Sequence, residues 1–471
     1  MIESLESHPP QPRPIRWWVR ACFGLTSPVG QRLYFYTGVG LMAVKYIVEA
    51  GFIRLMTGRT LTLLDFVNPL LSSRMQLLQG APDWAGWALI LWSLPFLWIA
   101  ASMSIRRSAD AGLSPWPGML VLLPIINLPV MLLLAALPHR EVERPYGETL
   151  GADDVSAAGS ALWGIAGGVA TGAVAFAMSV LLLESYGAVL FLSTPFFVGA
   201  VSAYAYNRPA SRDAGSTLAV VMLSVLLSAS ALLLFALEGF ICLLMAMPLA
   251  ALMAPLGGLI GKAIADQCRG RRSHAMYAVA ALPLLAALEF FVVHPHVREV
   301  QTSVEIDASP QIVWQNVIAF PDLPEPTEWY FRAGVAAPIG AHIEGHGVGA
   351  VRHCRFTTGD FVEPITVWDE PRRLAFDVTE QPEPMFELTP YHEIHPPHLH
   401  GTMRSLRGEF RLIELPGGRT RLEGSTWYLL AMWPQEYWIP FSDGIVHRIH
   451  QRVLEHVRDV SERSNGPPSR H

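Results

Sequence analysis

The chain has 471 residues, of which 51% are hydrophobic and only 16% charged, against about 25% charged in an ordinary soluble domain. Its formal net charge is −6 and its arginines are scattered, so no basic face points to nucleic acid, and that partner class is set aside. Four widely separated cysteines, Cys22, Cys242, Cys268 and Cys354, form neither a CxxC pair nor a disulfide framework and read as free thiols.

Residues 1–31 are polar, proline-rich and basic, with no apolar core of a signal peptide, so membrane insertion is expected to use the first spanning helix. A span needs about 20 mostly apolar residues. Eight stretches qualify, from Leu33 to Ile53, Trp84 to Ile105, Trp116 to Leu137, Ala161 to Leu183, Ala188 to Tyr206, Thr217 to Leu237, Phe240 to Ile264 and Met276 to Val293. The first three make a membrane region over 32–147, and a linker over 148–160 leads to five more over 161–294. Lys45 and Glu49 lie i,i+4 inside the first span, where they can pair on one helix face. Gly164, Gly168 and Gly172 form a small-residue ridge that admits a second helix backbone.

The turns Glu184 to Gly187 and Glu238 to Gly239 are short and acidic, so the spans they join form antiparallel hairpins. The alternate loops hold Arg208, Arg212, Lys262, Arg269, Arg271 and Arg272, which the positive-inside rule places in the cytoplasm. That puts the acidic turns and the C-terminal region outside the cell membrane. The N-terminal arginines and the pair Arg106 and Arg107 favour the opposite orientation, with fewer charges.

From residue 297 the composition becomes that of a soluble α+β domain, extending to about 463 and followed by a short tail over 464–471. Alternating strands are predicted at Ala341 to Glu344, Ala350 to Thr358, Phe361 to Trp368, Arg373 to Thr379, Arg407 to Leu415 and Thr420 to Leu430. Leu406, Phe410 and Leu412 share a face with Leu422 and Tyr428, while Arg407, Glu409, Arg411, Arg421 and Glu423 take the other. A helix starting near Pro434 repeats Ile445, Ile449, Val453, Val457 and Val460 at helical spacing.

Two resemblances follow. Arg106, Arg107, Asp110, Gly112, Ser114 and Trp116 match the signature of a bacterial membrane family, domain of unknown function 805, over roughly Arg32 to Gly147. The match departs at Ala109, where members often have His, and at Pro145 before Tyr146-Gly147. The family carries no activity, and the residues themselves suggest an anchoring cluster with an i,i+3 or i,i+4 ion pair. The stretch VREVQTSVEIDASPQIVWQNVIAF opens a domain that resembles START-like (SRPBCC) proteins, a group that includes polyketide cyclases and lipid-transfer domains. It has a strand, a Ser309-Pro310 helix start capped by Asp307 or Ser309, and Val313-Trp314. The resemblance implies a helix-grip fold, in which a curved sheet holds the terminal helix around a cavity.

Within that frame, Tyr428, His450, Phe410, Leu422, Thr426 and Trp329 are the candidate ligand-binding residues, with His450 near the apolar stripe of Val446 and Val453. The run YHEIHPPHLHG, with His392, Glu393, His395, His398 and His400, could suggest a metal, but Pro396-Pro397 breaks any helix that would align it. It is read as a structured loop, and neither a metal nor a cofactor is expected. No Gly-x-Ser-x-Gly elbow or phosphate loop is present. The expected function is a membrane-tethered domain that binds a hydrophobic small molecule or lipid near the bilayer. The competing expectations are a cyclase-like enzyme acting through His450 or Tyr428, and a membrane scaffold or transporter accessory.

Overall fold

The computed structural model describes residues 14–24, 28–68, 74–113 except 75 and 83, 116–122, 126–140, 152–268, 282, 284–285, 288–289, 297–391 and 394–465. The chain divides into two compact units. The first comprises Met1–Ala173, Pro195–Phe235 and Ala250–Val279, and the second Val174–Thr194, Ala236–Leu249 and Ala280–His471. This is not a cut between membrane region and tail: both acidic turns, with the helix ends beside them, belong to the second unit.

Five described helices are long and apolar enough to cross a membrane: Trp84–Asp110, Ser156–Leu182, Val189–Asn207, Ala214–Leu234 and Phe240–Gln267. They correspond to five of the eight expected spans. The helix over the first expected span, Gln31–Thr57, has 27 residues but is not among the five. Its Lys45 and Glu49 are ion-paired, and Arg74 joins Glu49. The third expected span is broken. Trp116–Leu122 is a 3-10 helix, and Asn127–Ala136 is an α-helix of 10 residues, about 15 Å at 1.5 Å per residue and half the hydrocarbon thickness. Proline at positions 117, 124 and 129 removes three backbone donors from that stretch. The eighth, Met276 to Val293, lies almost entirely outside the described residues. The stretch expected as a linker is helical from Ala152 onward.

In the first unit the glycine ridge acts through close approach. A Cβ on Gly168 would lie 2.1 Å from Ser202 Oγ, and one on Gly261 2.1 Å from the Ala200 carbonyl oxygen, so these helices pack at a separation that no larger residue permits. In the second unit both turns are tight enough to hold a non-glycine residue in the left-handed region, Glu184 at φ 48° and Ala236 at φ 55°. The first turn is flanked by π-helical segments, Ala177–Leu182 and Val189–Ser193.

The rest of the second unit is a seven-stranded antiparallel sheet: β1 (Val297–Ile306), β2 (Pro338–Glu344), β3 (Val351–Phe356), β4 (Gly359–Asp369), β5 (Arg373–Asp377), β6 (Met403–Leu415) and β7 (Arg419–Leu430). The strand order is β1-β7-β6-β5-β4-β3-β2. Register shifts near Gly340, Val367 and Leu406 bend the strands, and the sheet closes on a short helix, Pro310–Ile318, and a long one, Gln435–Asn465. Pro310 occupies the first turn of the short helix and Ser309 is its N-cap by backbone geometry, without a side-chain cap bond. Period-two alternation produces the core: Ile306, Leu374, Leu412 and Leu422 meet Val313, Trp314 and Val317 of the short helix and Val453, Leu454 and Val457 of the long one. A separate cluster gathers Tyr428, Trp438 and Val446 with Phe191, Met245 and Leu249 from the segments that adjoin the two turns.

A candidate ligand cavity under the terminal helix

Between the concave face of the sheet and the long helix lies a cavity of about 130 Å³, whose wall includes Phe356, Phe361, Phe376, Phe410, Ile449 and Val453. Polar residues interrupt this apolar wall, Gln381, Glu383, Ser405, Arg407 and Ser425 among them, and three further polar features are the best defined. The first is Arg352, directly opposite Glu363 in the β3–β4 register. The two form an ion pair with side-chain exposures of 2% and 8%, so both charges are withdrawn from water and depend on each other. Three rings, Phe320, Phe376 and Phe410, lie 5.4 to 5.6 Å from the guanidinium, within cation–π range. Burial works against the Arg352 charge, but Glu363 and Cys354 together outweigh it and the guanidinium's pKa is raised.

The second feature is His450. Its Nε2 lies 2.7 Å from Thr426 Oγ1 and its Nδ1 3.2 Å from Thr302 Oγ1. Thr302 Oγ1 is also 2.8 Å from His447 Nδ1. Burial, with a smaller contribution from His447, pushes the His450 pKa down to about 4, so the ring is neutral at ordinary pH. The third is Glu409, held by Arg373 and Arg411 at 2.8 and 2.9 Å.

Of the six residues singled out in the sequence, Phe410, Thr426 and His450 line this cavity. Leu422 is fully buried in the core beside it. Tyr428 is fully buried too, but its hydroxyl reaches Ser442, at 2.7 Å, and Asp443, where Asp443 also pairs with Arg298 at 2.8 Å. Burial and Asp443 push the Tyr428 pKa up to about 12. Tyr428 shares a strand face with Thr426, as its spacing requires, yet it meets an earlier stretch of the long helix and stands apart from the cavity wall. Trp329 begins a short helix, Trp329–Arg332, and is 77% exposed. Sequence reasoning missed Arg352 and Glu363. The signal was available, since Arg352 alternates with Cys354 and Phe356 on one face of β3.

In the signature of the first unit, Arg106 and Arg107 are almost wholly buried. Arg107 pairs with Asp110 at i,i+3 and donates to the Leu134 and Leu137 carbonyls, while Arg106 donates to those of Ser102 and Ala21. His139 Nδ1 lies 2.9 Å from Asp110, and Gly112 closes the helix at φ 74°. Ser114 lies outside the described residues, and for Trp116 only the backbone is described. The two guanidiniums thus satisfy backbone carbonyls inside the unit. In the histidine run, His392 and Glu393 lie outside the described residues. His395 and His400 are exposed beside Glu383, and His398 is buried.

A seven-stranded antiparallel sheet gripping a long C-terminal helix, in a chain with several membrane-length apolar helices, defines a membrane-associated helix-grip protein. Residues 297–429 match the family model described as polyketide cyclase / dehydrase and lipid transport. Residues 31–148 match that of domain of unknown function 805. No curated protein matches the chain. Among solved structures it is similar to the ZhuI aromatase/cyclase of a Streptomyces species, with 16% identity, 37% of this chain and 99% of that chain covered, and a TM-score of 0.25. It is also similar to norcoclaurine synthase of Thalictrum flavum, with 12% identity, 37% and 99% coverage, and a TM-score of 0.25. A protein of Nitrosospira multiformis gives 18% identity, 36% and 100% coverage, and a TM-score of 0.23.

Proposed function

We propose that the C-terminal domain binds a hydrophobic small molecule, or the apolar part of a lipid, while the apolar helices hold it in a cell membrane. The observation that carries this reading is the cavity: about 130 Å³, close to the roughly 150 Å³ of an apolar cavity that takes up benzene. A single ring or short acyl segment fits that space. Arg352 with Glu363, and neutral His450 with Thr426, supply the few polar groups that orient a ligand. Tethering raises the local concentration of the site at the bilayer, where such ligands partition. A cyclase-like reaction finds less support, since the hydrogen bonds of His450 go to two threonine hydroxyls and none to a carboxylate among the described residues.

The test is thermal unfolding of the full chain in detergent with a series of ring-sized and short-chain apolar ligands, since a ligand that binds only the folded state raises its melting temperature. Ile449→Phe, which fills the cavity, should abolish that protection while melting no lower than about 2 kcal/mol below wild type. Protection that survives in the filled variant would place the ligand elsewhere.

We further propose that the C-terminal domain faces out of the cytoplasm. Tyr186 and Glu238, from the two acidic turns, contact His398 and pack in the same unit as the sheet. The helices that leave those turns carry Arg208, Arg212 and Lys262 at their far ends, which the positive-inside rule holds in the cytoplasm. Alkaline phosphatase fused after Arg463 should be active, and activity from a cytoplasmic reporter alone would reverse the orientation.

A further inference from the structure

Outside the cavity, the second unit gathers five ionisable side chains that the proposed binding role does not use. The two acidic turns contribute Tyr186 and Glu238, the helix Phe240–Gln267 contributes Cys242 from its first turn, and the segment between β5 and β6 contributes Glu387 and His398. Cys242 Sγ lies 2.9 Å from His398 Nε2 across 156 residues of chain. Glu387 Oε1 lies 3.4 Å from the same nitrogen, and Glu238 Oε2 2.9 Å from His398 Nδ1, off the line of a formed hydrogen bond. The Tyr186 hydroxyl donates to Glu238 Oε1 at 2.7 Å, and Thr402 holds the His398 carbonyl.

This arrangement is short of protons. The Glu387 side chain is 0% exposed, and neither of its carboxylate oxygens has a hydrogen-bond partner among the described residues. Leaving a carboxylate so is costly unless a cation meets it. One imidazole has at most two N–H groups, and one of its nitrogens already faces Glu238, so His398 cannot serve Glu238, Glu387 and the thiol together. The fold makes room for this carboxylate: a Cβ on Gly239 would lie 2.0 Å from Glu387 Oε2.

We propose that Cys242 Sγ, His398 Nε2 and a Glu387 carboxylate oxygen bind one divalent cation of the zinc class, with Glu238 and Tyr186 as the outer layer that orients His398. The three donor atoms already lie within 4.8 Å of one another. A tetrahedral zinc, with metal–ligand bonds of about 2.0 to 2.3 Å, spaces its ligands roughly 3.3 to 3.7 Å apart. The 3.4 Å separation of Glu387 and His398 fits as it stands, and Cys242 must withdraw by less than about 1 Å from the hydrogen-bonding distance it now holds. Thiolate with imidazole selects zinc over calcium or magnesium, and a carboxylate behind the ligating histidine is the usual orienting partner at such centres. On binding, the cation displaces the Cys242 thiol proton and any proton on His398 Nε2, both of which leave to solvent. Once thiolate and carboxylate are bound, their two negative charges are matched by the cation.

The experiment uses the full chain in detergent, stripped with a chelator and titrated with Co²⁺ as the spectroscopic probe for Zn²⁺. One equivalent should bind with a thiolate-to-cobalt charge-transfer band, and Zn²⁺ should erase it. Cys242→Ser should remove the band, and Glu238→Gln, which touches no metal, should keep the band and weaken affinity about 10- to 100-fold. Replacing His395 and His400 by Ala, which removes the exposed histidines beside Glu383, should change nothing. Should Cys242→Ser misfold, the triple variant Cys22→Ser, Cys268→Ser, Cys354→Ser, with Cys242 its sole thiol, should still give the band. A wild-type chain that never gives a band, or a band unchanged in Cys242→Ser or lost in the triple variant, overturns the site; in the first case a protonated His398 between carboxylates accounts for the cluster without a metal.

Discussion

Two buried histidines in the second unit are driven in opposite directions by their surroundings. His450, under the sheet, meets threonine hydroxyls and apolar side chains, and its pKa falls to about 4. For His398, burial also acts against the charge, but Cys242, Glu238 and Glu387 together outweigh it and raise the pKa to about 12. Burial alone therefore does not determine what a histidine does; the count of acceptors around it does. In the first region, around His450, the surroundings disfavour a charge on the ring, and the largely aromatic and aliphatic wall suits an apolar guest. The second has surplus negative charge and suits a cation.

The largest effect that would sharpen this contrast comes from the most deeply buried charge pair of the cavity, Arg352 with Glu363. Arg352→Met strands the buried Glu363 carboxylate and should cost about 3 to 5 kcal/mol in chemical unfolding of the full chain. Adding Glu363→Leu should recover most of that, because no stranded charge then remains at the β3–β4 pair. A single variant as stable as wild type would show that Glu363 finds water or a second partner, and the cavity would then be open to solvent.

A smaller effect belongs to the pH dependence of His450. Its folded pKa lies below the ordinary value of 6.5, so the unfolded chain takes up a proton first, and stability rises with pH through this window. Its contribution is fully present above about pH 6.5 and is lost as pH falls toward 4, amounting to about 3 kcal/mol. His450→Gln should flatten that part of the profile. Equal slopes in both proteins would mean that His450 titrates normally and that the cavity is wetter than its lining suggests.

Next come two variants that separate binding from scaffolding. His450→Leu strands the hydroxyls of Thr302 and Thr426 and should lose about 1 to 3 kcal/mol, while also retuning affinity for an apolar ligand. Tyr428→Phe removes bonds to Ser442 and Asp443 and should lose about 1 kcal/mol with ligand affinity unchanged. A change of affinity in Tyr428→Phe alone would return Tyr428 to the binding surface and remove His450 from it.

The strands and the terminal helix were legible because alternation and helical spacing are local, and the register of β6 on β7 places Leu412 opposite Leu422 as the pattern requires. His450 and Thr426 could be found for the same reason. That the third stretch holds a 3-10 helix and a short α-helix was not legible from hydropathy, which counts apolar residues and ignores the prolines among them. His398 could be seen as part of a histidine run, but not as a site. The other histidines of the run are exposed or outside the described residues, and its partners come from the apolar helix Phe240–Gln267, the two acidic turns and Glu387 earlier in the same segment, which only the fold brings near.

The smallest expected effect is at Trp329, chosen from the sequence as a ligand contact and found 77% exposed. Its ring meets Tyr330 edge-on, at 5.8 Å and 81°, while Tyr330 itself packs under Arg448, whose guanidinium carbon lies 4.6 Å from the ring centroid. Removing an indole so placed uncovers little apolar surface, and the buried anchor of its helix is the neighbouring Phe331. Trp329→Ala should therefore shift stability by no more than about 0.5 kcal/mol and leave affinity for a ring-sized ligand unchanged. If the domain is tethered as proposed, an exposed indole at its surface lies within reach of the headgroup region. In that case its fluorescence, measured against a single-tryptophan background in vesicles, should be quenched by brominated lipid while the cavity ligand has no effect on it. If Trp329→Ala weakens ligand binding severalfold with stability intact, the ligand extends out of the cavity past the short helix, and the enclosed single-ring site gives way to an open groove.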